Sequence, residues 1–231
     1  MSNLRHPWNL SPADAVALQQ DLRQHVQLTP LPQEPTLLGG VDLSYEIGGK
    51  ELWAAIVLLE AATLQVVGWS GVRDEMRFPY LPGLLSFREI PGLMLAWDQL
   101  QRRPDVLFAD GHGIAHPRRL GIATHLGLLT ETPSLGCGKS VLVGDFADPA
   151  PTKGSASPMT HQGEHIGYAL RTRYRVKPMY ISPGHLMTLD DARRLALQAV
   201  TKYRMPEPTR QAHLLVNRLR RGEVSTGVGW G

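Results

Sequence analysis

The chain is predicted to fold as a mixed α/β sheet with helices on its faces. Three strand-like segments joined by short turns open it, at Leu37–Glu46, Glu51–Leu59 and Leu64–Arg73, and helical and strand patterns alternate after residue 90. At 231 residues with 42% hydrophobic content, the chain is long enough for one good core. A single domain over 1–222 is therefore expected, with a flexible tail over 223–231.

Ser11 caps the first helix and Pro12 takes its first position, where a missing N–H costs nothing. Val16, Leu18, Leu22 and Val26 form a loose apolar stripe, and Pro30, Pro32 and Pro35 end the helix in a linker. Gly48-Gly49 and Ala61-Ala62-Thr63 are turns short enough for antiparallel hairpins. Leu93, Trp97 and Leu100 then recur at helical spacing, predicting a helix over Pro91–Gln101. A strand at Val106–Asp110, a helix at Gly121–Leu129 and a strand at Val141–Val143 follow. Residues 145–157 read as a Pro/Gly/Ser-rich loop, Ile166–Ile181 as strands, and Leu189–Tyr203 and Pro208–Arg221 as helices. The Gly-rich end is expected to fray.

No apolar run reaches the ~18 residues that span a bilayer, and residues 1–10 lack the pattern of an export signal. The lone Cys137 excludes an internal disulfide framework and fits a reducing cytosol, so a cytoplasmic location is expected. Net charge is +3 but unevenly spread: residues 1–150 hold 11 Lys/Arg against 16 Asp/Glu, and residues 151–231 hold 13 against 5. An acidic half suited to cations joined to a basic half suited to phosphates fits a nucleic-acid enzyme, although the arginines at 171, 173 and 175 also fit the wet face of a strand.

The chemistry concentrates in Pro104-Asp-Val-Leu-Phe-Ala-Asp-Gly-His-Gly-Ile-Ala-His-Pro117, where a short apolar strand delivers Asp110 to its end. A carboxylate there is costly unless a cation meets it. Asp42 sits in a similar setting within Leu38–Tyr45, on the face it shares with Ser44. Strands lie ~4.8 Å apart, so acids on neighbouring strands can share one ion. With Glu89 they form a hard oxygen set that selects Mg²⁺ or Mn²⁺ over zinc. Against these readings stand an Asp-Gly turn at Asp110 and a helix start at Glu89. Phe78-Pro-Tyr-Leu-Pro-Gly83 is a stiff turn whose Tyr80 either packs on the surface or pushes between bases.

Three lookalikes are set aside. Gly136-Cys-Gly-Lys-Ser140 resembles a P-loop, but that pattern's first glycine falls on Pro133. His161-Gln-Gly-Glu-His165 matches a zinc-protease signature that requires a helix, which Gly163 and Pro158 oppose. His112 and His116 are four apart, but Gly111, Gly113 and Pro117 deny them a helical face.

Together these residues resemble the endonuclease V family of deoxyinosine-specific repair nucleases. The matching blocks are Gly40–Tyr45, Phe78–Glu89 with Pro91, Asp110–His125, Gly138–Ser140 and Pro206–Arg210, in order over about residues 10–215. The resemblance implies a ribonuclease H-like mixed sheet of three antiparallel strands followed by parallel strands. It implies Mg²⁺-dependent (Mn²⁺ substituting) cleavage of the second phosphodiester bond 3′ to deoxyinosine in DNA, leaving 3′-hydroxyl and 5′-phosphate ends, by a monomer needing no membrane. Asp42, Glu89 and Asp110 fall on the family's metal site. His116 and Lys139 match its polar residues near the cut phosphate, and His213 helps to complete the site. Pro79, Tyr80, Leu81 and Pro82 fall on its strand-separating wedge, and Gly83, Leu85, Gly111, Gly113, Gly121 and Ile122 on its base pocket. Leu135-Gly-Cys-Gly before Lys139 departs from the family's larger aliphatics. An inosine-specific endoribonuclease acting on RNA is the alternative, since 2′-hydroxyl contacts separate the two substrates. A lesion-binding module without cutting activity is disfavoured because Asp42, Glu89, Asp110 and Lys139 are all present.

Overall fold

The computed structural model describes residues 4–46 and 48–230. Helix α1 (Pro12–Arg23) starts where the sequence says it should, with Ser11 Oγ accepting from Asp14 N–H at 3.2 Å. Strands β1 (Leu37–Tyr45), β2 (Glu51–Glu60) and β3 (Val66–Glu75) form the antiparallel meander. Helix α2 (Leu85–Gln99) leads to β4 (Val106–Ala109), and α3 (Ile122–Thr130) to β5 (Ser134–Gly138). The order β4 and β5 parallel to β1 is the ribonuclease H-like arrangement that the resemblance implies. A second antiparallel group, β6 (Ala156–His161), β7 (Glu164–Leu170) and β8 (Met179–Pro183), extends that side of the sheet. Helices α4 (Leu189–Gln198) and α5 (Glu207–Arg220) and strand β9 (Gly227–Trp230) complete the chain. Strand order is β6-β7-β8-β5-β4-β1-β2-β3-β9.

Each sheet face carries its own core. Leu38, Val106, Phe108, Leu135 and Cys137 meet residues of α4 and α5 on one face. Val41, Ile56, Leu107 and Ala109 meet α2 and α3 on the other. This is the period-two alternation of strands buried on both sides.

Three expectations are corrected. First, α2 begins at Leu85, not Pro91, because Phe87, Ile90, Leu93 and Trp97 form one buried stripe that carries the helix through the proline. Second, the strand expected at Val141–Val143 is Ser134–Gly138 instead; Val141 and Leu142 are exposed, and the buried strand is so glycine-rich that it shows no β-branched signal. Third, the tail expected over 223–231 does not fray throughout: Gly227–Trp230 pair with Gly68–Gly71 of β3, where Gly68 leaves room for the Trp230 ring. No helix among the described residues is long and apolar enough to cross a membrane.

Candidate active site

The parallel register sets the first two carboxylates. Leu38 pairs with Val106 and Val41 with Ala109, so the next step places Asp42 beside Asp110. Both side chains project to the α5 face, as Leu38, Val106 and Phe108 do. Helix α5 is seated there by Gly40, where any Cβ would overlap the Pro208 carbonyl. From that anchor, each two strand residues (~6.6 Å) keep pace with five and then four helix residues (~7.5 and ~6 Å). His213 Nδ1 thus meets Asp42 Oδ2 at 2.8 Å, and Asn217 Oδ1 accepts from Ser44 Oγ at 3.1 Å. Asn217 Nδ2 also donates to the His213 carbonyl at 2.8 Å, tying that turn together.

Donor atoms of Asp42, Asp110 and His213 lie within 4.8 Å of one another. Glu89 reaches toward them from α2 and stands outside that set. Burial, then the charges of Asp42 and Asp110, push its carboxyl up to about 8. Asp110 is raised for the same reasons, burial first and Asp42 second, while Lys139 opposes the shift. The Asp42 hydrogen bond raises His213. Glu89 and Asp110, both raised by burial and by crowding against Asp42, form with that carboxylate and one imidazole a donor set that a hard divalent cation would relieve. The nearby Cys137 is buried and its thiol pushed up, so no thiolate competes for a softer metal. The residues present therefore fit the Mg²⁺ or Mn²⁺ that the sequence implies.

Strand β5 divides the remaining work between its faces. Leu135 and Cys137 point to the α5 side, and Lys139 follows in phase to pair with Asp110. Gly136 and Gly138 point to the other side, where the 111–113 loop lies so close that a Cβ at either would overlap it. Larger residues at 136 or 138 would displace that loop.

On that second side lies a cavity of about 360 Å³. Tyr80, Leu81, Pro82, Gly83, Leu85, Gly111, Gly121 and Ile122 line it together with Asp110, His116 and Lys139. Pro79 is exposed at the start of the 79–83 loop, on which the resemblance places a wedge. Tyr80 is 63% exposed, held out by its neighbour Phe78, which is buried against Ala15, Leu84 and Phe87. Helices α2 and α3 both begin at this cavity without a side-chain cap; Phe87 N–H goes to the Leu84 carbonyl and Ala123 N–H to the His112 carbonyl, leaving the other first-turn N–H groups as donors.

Gly113 is placed differently from expectation. It does not line the cavity; its N–H donates to Ser182 Oγ at 2.8 Å, and a Cβ would overlap the Pro183 carbonyl. It locks the loop to β8 from behind. His116 is also pinned: its Nδ1 accepts from Arg118 N–H at 3.2 Å, which leaves Nε2–H to donate to the Gly83 carbonyl at 3.0 Å. Burial and then Arg118 depress this imidazole to about 4, so it is a neutral brace rather than a proton shuttle.

Several lining residues were not singled out by the sequence: His112 and Ser86, which fall inside matching blocks, and Val141 and Leu142, which fall outside them, all stand on the cavity wall. Gln19 and Arg118 matter more. Gly83, at φ +78°, offers a carbonyl that also accepts from Gln19 Nε2 at 3.0 Å and Arg118 Nη2 at 2.8 Å. Gln19 is fully buried and bonds Leu120's carbonyl and Arg118 Nε as well. Its signal was legible as a polar residue on the buried stripe of α1 between Ala15 and Leu22. His161 and Glu164 end up across the β6–β7 turn with Arg119, consistent with setting the protease signature aside.

A family model described as Endonuclease V matches residues 20–214. The Endonuclease V of Myxococcus xanthus (strain DK1622) is 48% identical over 217 residues, covering 94% of this chain and 92% of its own. The crystal structure of Streptomyces avermitilis Endonuclease V superposes with a TM-score of 0.89 at 40% identity, covering 96% of this chain and 99% of that one. The catalytic domain of human Endonuclease V gives 0.83 at 32% identity, covering 92% and 98%.

Proposed function

Because this chain belongs to the Endonuclease V family of nucleases, we propose that it hydrolyses the second phosphodiester bond 3′ to a deoxyinosine in DNA. The observation that carries this reading is the union of two sites: a base-sized cavity shares Asp110 and Lys139 with the carboxylate cluster. An extruded hypoxanthine fits the cavity, while Tyr80 fills the gap it leaves in the duplex. Uncapped N–H groups of α2 and α3 read its edge, and the Gly111 and Gly121 backbone, whose own N–H groups are held by the Ala109 and Gly113 carbonyls, allows it close approach. Asp42, Glu89 and Asp110, with His213 beside them, would hold Mg²⁺ or Mn²⁺. Such an ion, when bound, lowers the pKa of water and neutralises phosphate charge.

Lys139 stands on Asp110 where its ammonium offsets negative charge at the phosphate. His213, supported by Asn217, fixes the Asp42 carboxylate. Water adds to phosphorus as the P–O3′ bond breaks, leaving 3′-hydroxyl and 5′-phosphate ends. A strand-resolved cleavage map tests this with matched inosine and adenine DNA and inosine RNA, with and without Mg²⁺. The expected result is one Mg²⁺-dependent cut beyond the inosine in DNA, lost in Asp110→Ala. Equal cutting of adenine DNA, or nicking by Asp110→Ala at the wild-type rate, would overturn the proposal.

A further inference from the structure

One charged surface is left unused by this reading. Loops 171–178 and 199–206 carry six Lys and Arg and no Asp or Glu. Arg171 is buried against Asp148, but Arg173, Arg175, Lys177, Lys202 and Arg204 have no carboxylate partner among the described residues. Loop 171–178 leads into β8 at the active-site end of the sheet, and loop 199–206 reaches that end through Arg204. Strand β8 starts at Met179, with Tyr180 opposite Gly138 at the end of β5. Arg204 joins the two loops to the catalytic lysine: it donates to the Lys177 carbonyl at 2.7 Å, the Pro178 carbonyl at 2.7 Å and the Lys139 carbonyl at 3.2 Å.

The path of a bound strand follows from the two faces of β5. The cavity lies on the α2/α3 side, and Asp42, Asp110 and Lys139 lie on the α4/α5 side. A strand with its base in the cavity and its phosphate at the carboxylates has already crossed the end of the sheet. Onward, one exit is the groove between α5 and β9, where Arg218 and Arg221 are engaged by Glu223. The other is the Arg204 rim, whose cations are unspent. We propose that this rim, through Lys177 and Lys202 with Arg173 and Arg175 beyond, is the track for the phosphodiester strand on the 3′ side of the cut. The assignment of 3′ polarity rests on the cleavage position proposed above.

Fluorescence anisotropy in EDTA, where no cutting occurs, tests it with inosine-bearing single strands of fixed 5′ flank. Lengthening the 3′ flank from about three to about twelve nucleotides spans one groove-length of strand. Wild type is expected to gain about tenfold in affinity at low salt, and K177A/K202A to lose most of that gain. The log–log salt slope of the variant should fall by about 1.4, two single-strand phosphate contacts. Both substitutions are exposed, so the melting temperature stays at its wild-type value. An undiminished 3′-flank gain in the variant, or a gain confined to the 5′ flank, would overturn the track. Absence of inosine-dependent cutting by wild type would refute the base reading instead, and the 3′ assignment with it.

Discussion

Gln19→Ala removes the residue that ties α1 to the wedge loop, and its cost follows from its partners. Three hydrogen bonds are lost, to Gly83 O, Leu120 O and Arg118 Nε. Gly83 O keeps Arg118 and His116, but the Leu120 carbonyl and Arg118 Nε lose a buried partner. At a net ~0.5–1.5 kcal/mol for each of the three bonds, the loss is about 2–4 kcal/mol. For a domain of this size each kcal/mol lowers Tm by about 2–4 °C, so calorimetry should record a fall of roughly 4–16 °C. Well below that temperature the effect should appear in recognition rather than chemistry, because Gly83 lines the cavity and not the carboxylate cluster. KM for an inosine strand is expected to rise about fivefold, with kcat at saturation within about twofold of wild type. Pairing it with Arg118→Ala in a double-mutant cycle should show coupling of at least ~0.5 kcal/mol, since the two share a bond. A lowered Tm with unchanged KM would reduce Gln19 to a purely structural role. An unchanged Tm would refute the hydrogen-bond network itself.

Tyr80→Ala deletes an exposed side chain and should leave Tm within about 1 °C. It should cut activity on duplex inosine DNA about tenfold more than on single strands, because only the duplex requires a wedge; equal losses on both would count against that role. Gly113→Val forces a side chain into the Pro183 carbonyl. Urea titration should show a destabilised protein, not a stable one with relaxed base preference, and the latter outcome would return Gly113 to the pocket wall. His125 is held well below its ordinary pKa by burial first and His6 second, with Nδ1 on Ser86 Oγ at 3.1 Å and Nε2 on His6 at 2.8 Å. The unfolded chain therefore takes up its proton first. Stability is full above about pH 6.5 and is lost on acidification by up to ~1.4 kcal/mol per pH unit from this group. His125→Leu should flatten the urea midpoint between about pH 7.5 and 5.5, and an identical slope in wild type and variant would disprove the assignment.

Elements that carry their own chemical signal were legible in the sequence. Ser11-Pro12 marks a helix start, and the alternation around Asp42 is enough to aim it at a partner beside Ser44. The register that brings Asp110 to it is a parallel pairing of β1 with β4 that no local pattern specifies. What the sequence hid is structure that depends on contact rather than propensity. Strand β5 is identified by its neighbours, because Gly136 and Gly138 have no side chains to announce it. Pro91 reads as a helix start, and only the burial of Phe87 and Ile90 on the far side of it moves the boundary back. His116 and Gly113 fall within a block that names them as site residues, yet His116, besides lining the cavity, braces the Gly83 carbonyl, and Gly113 locks the 111–113 loop to β8 from behind. Motif membership placed them near the site but could not tell contact from support.

That distinction explains how backbone groups could select a base at all. A main-chain donor carries no specificity if its loop can shift by a fraction of an ångström, so a pocket read by N–H groups needs a rigid wall. Here the 111–113 loop is fixed on three sides by close approach: Gly136 and Gly138 beneath it, Pro183 behind Gly113, and Gly121 against the His112 and Gly113 carbonyls. Gly121 N–H donates to Gly113 O at 3.1 Å and Ile114 N–H to Pro183 O at 2.8 Å, closing the same unit. The wedge loop is fixed in parallel by three donors on the Gly83 carbonyl. A side chain at any of these glycines would open the contact that sets the wall, so the glycines contribute rigidity to the pocket as much as room. Adaptable long side chains are kept for the opposite face of β5, where Lys139 and the carboxylates must follow charge rather than shape.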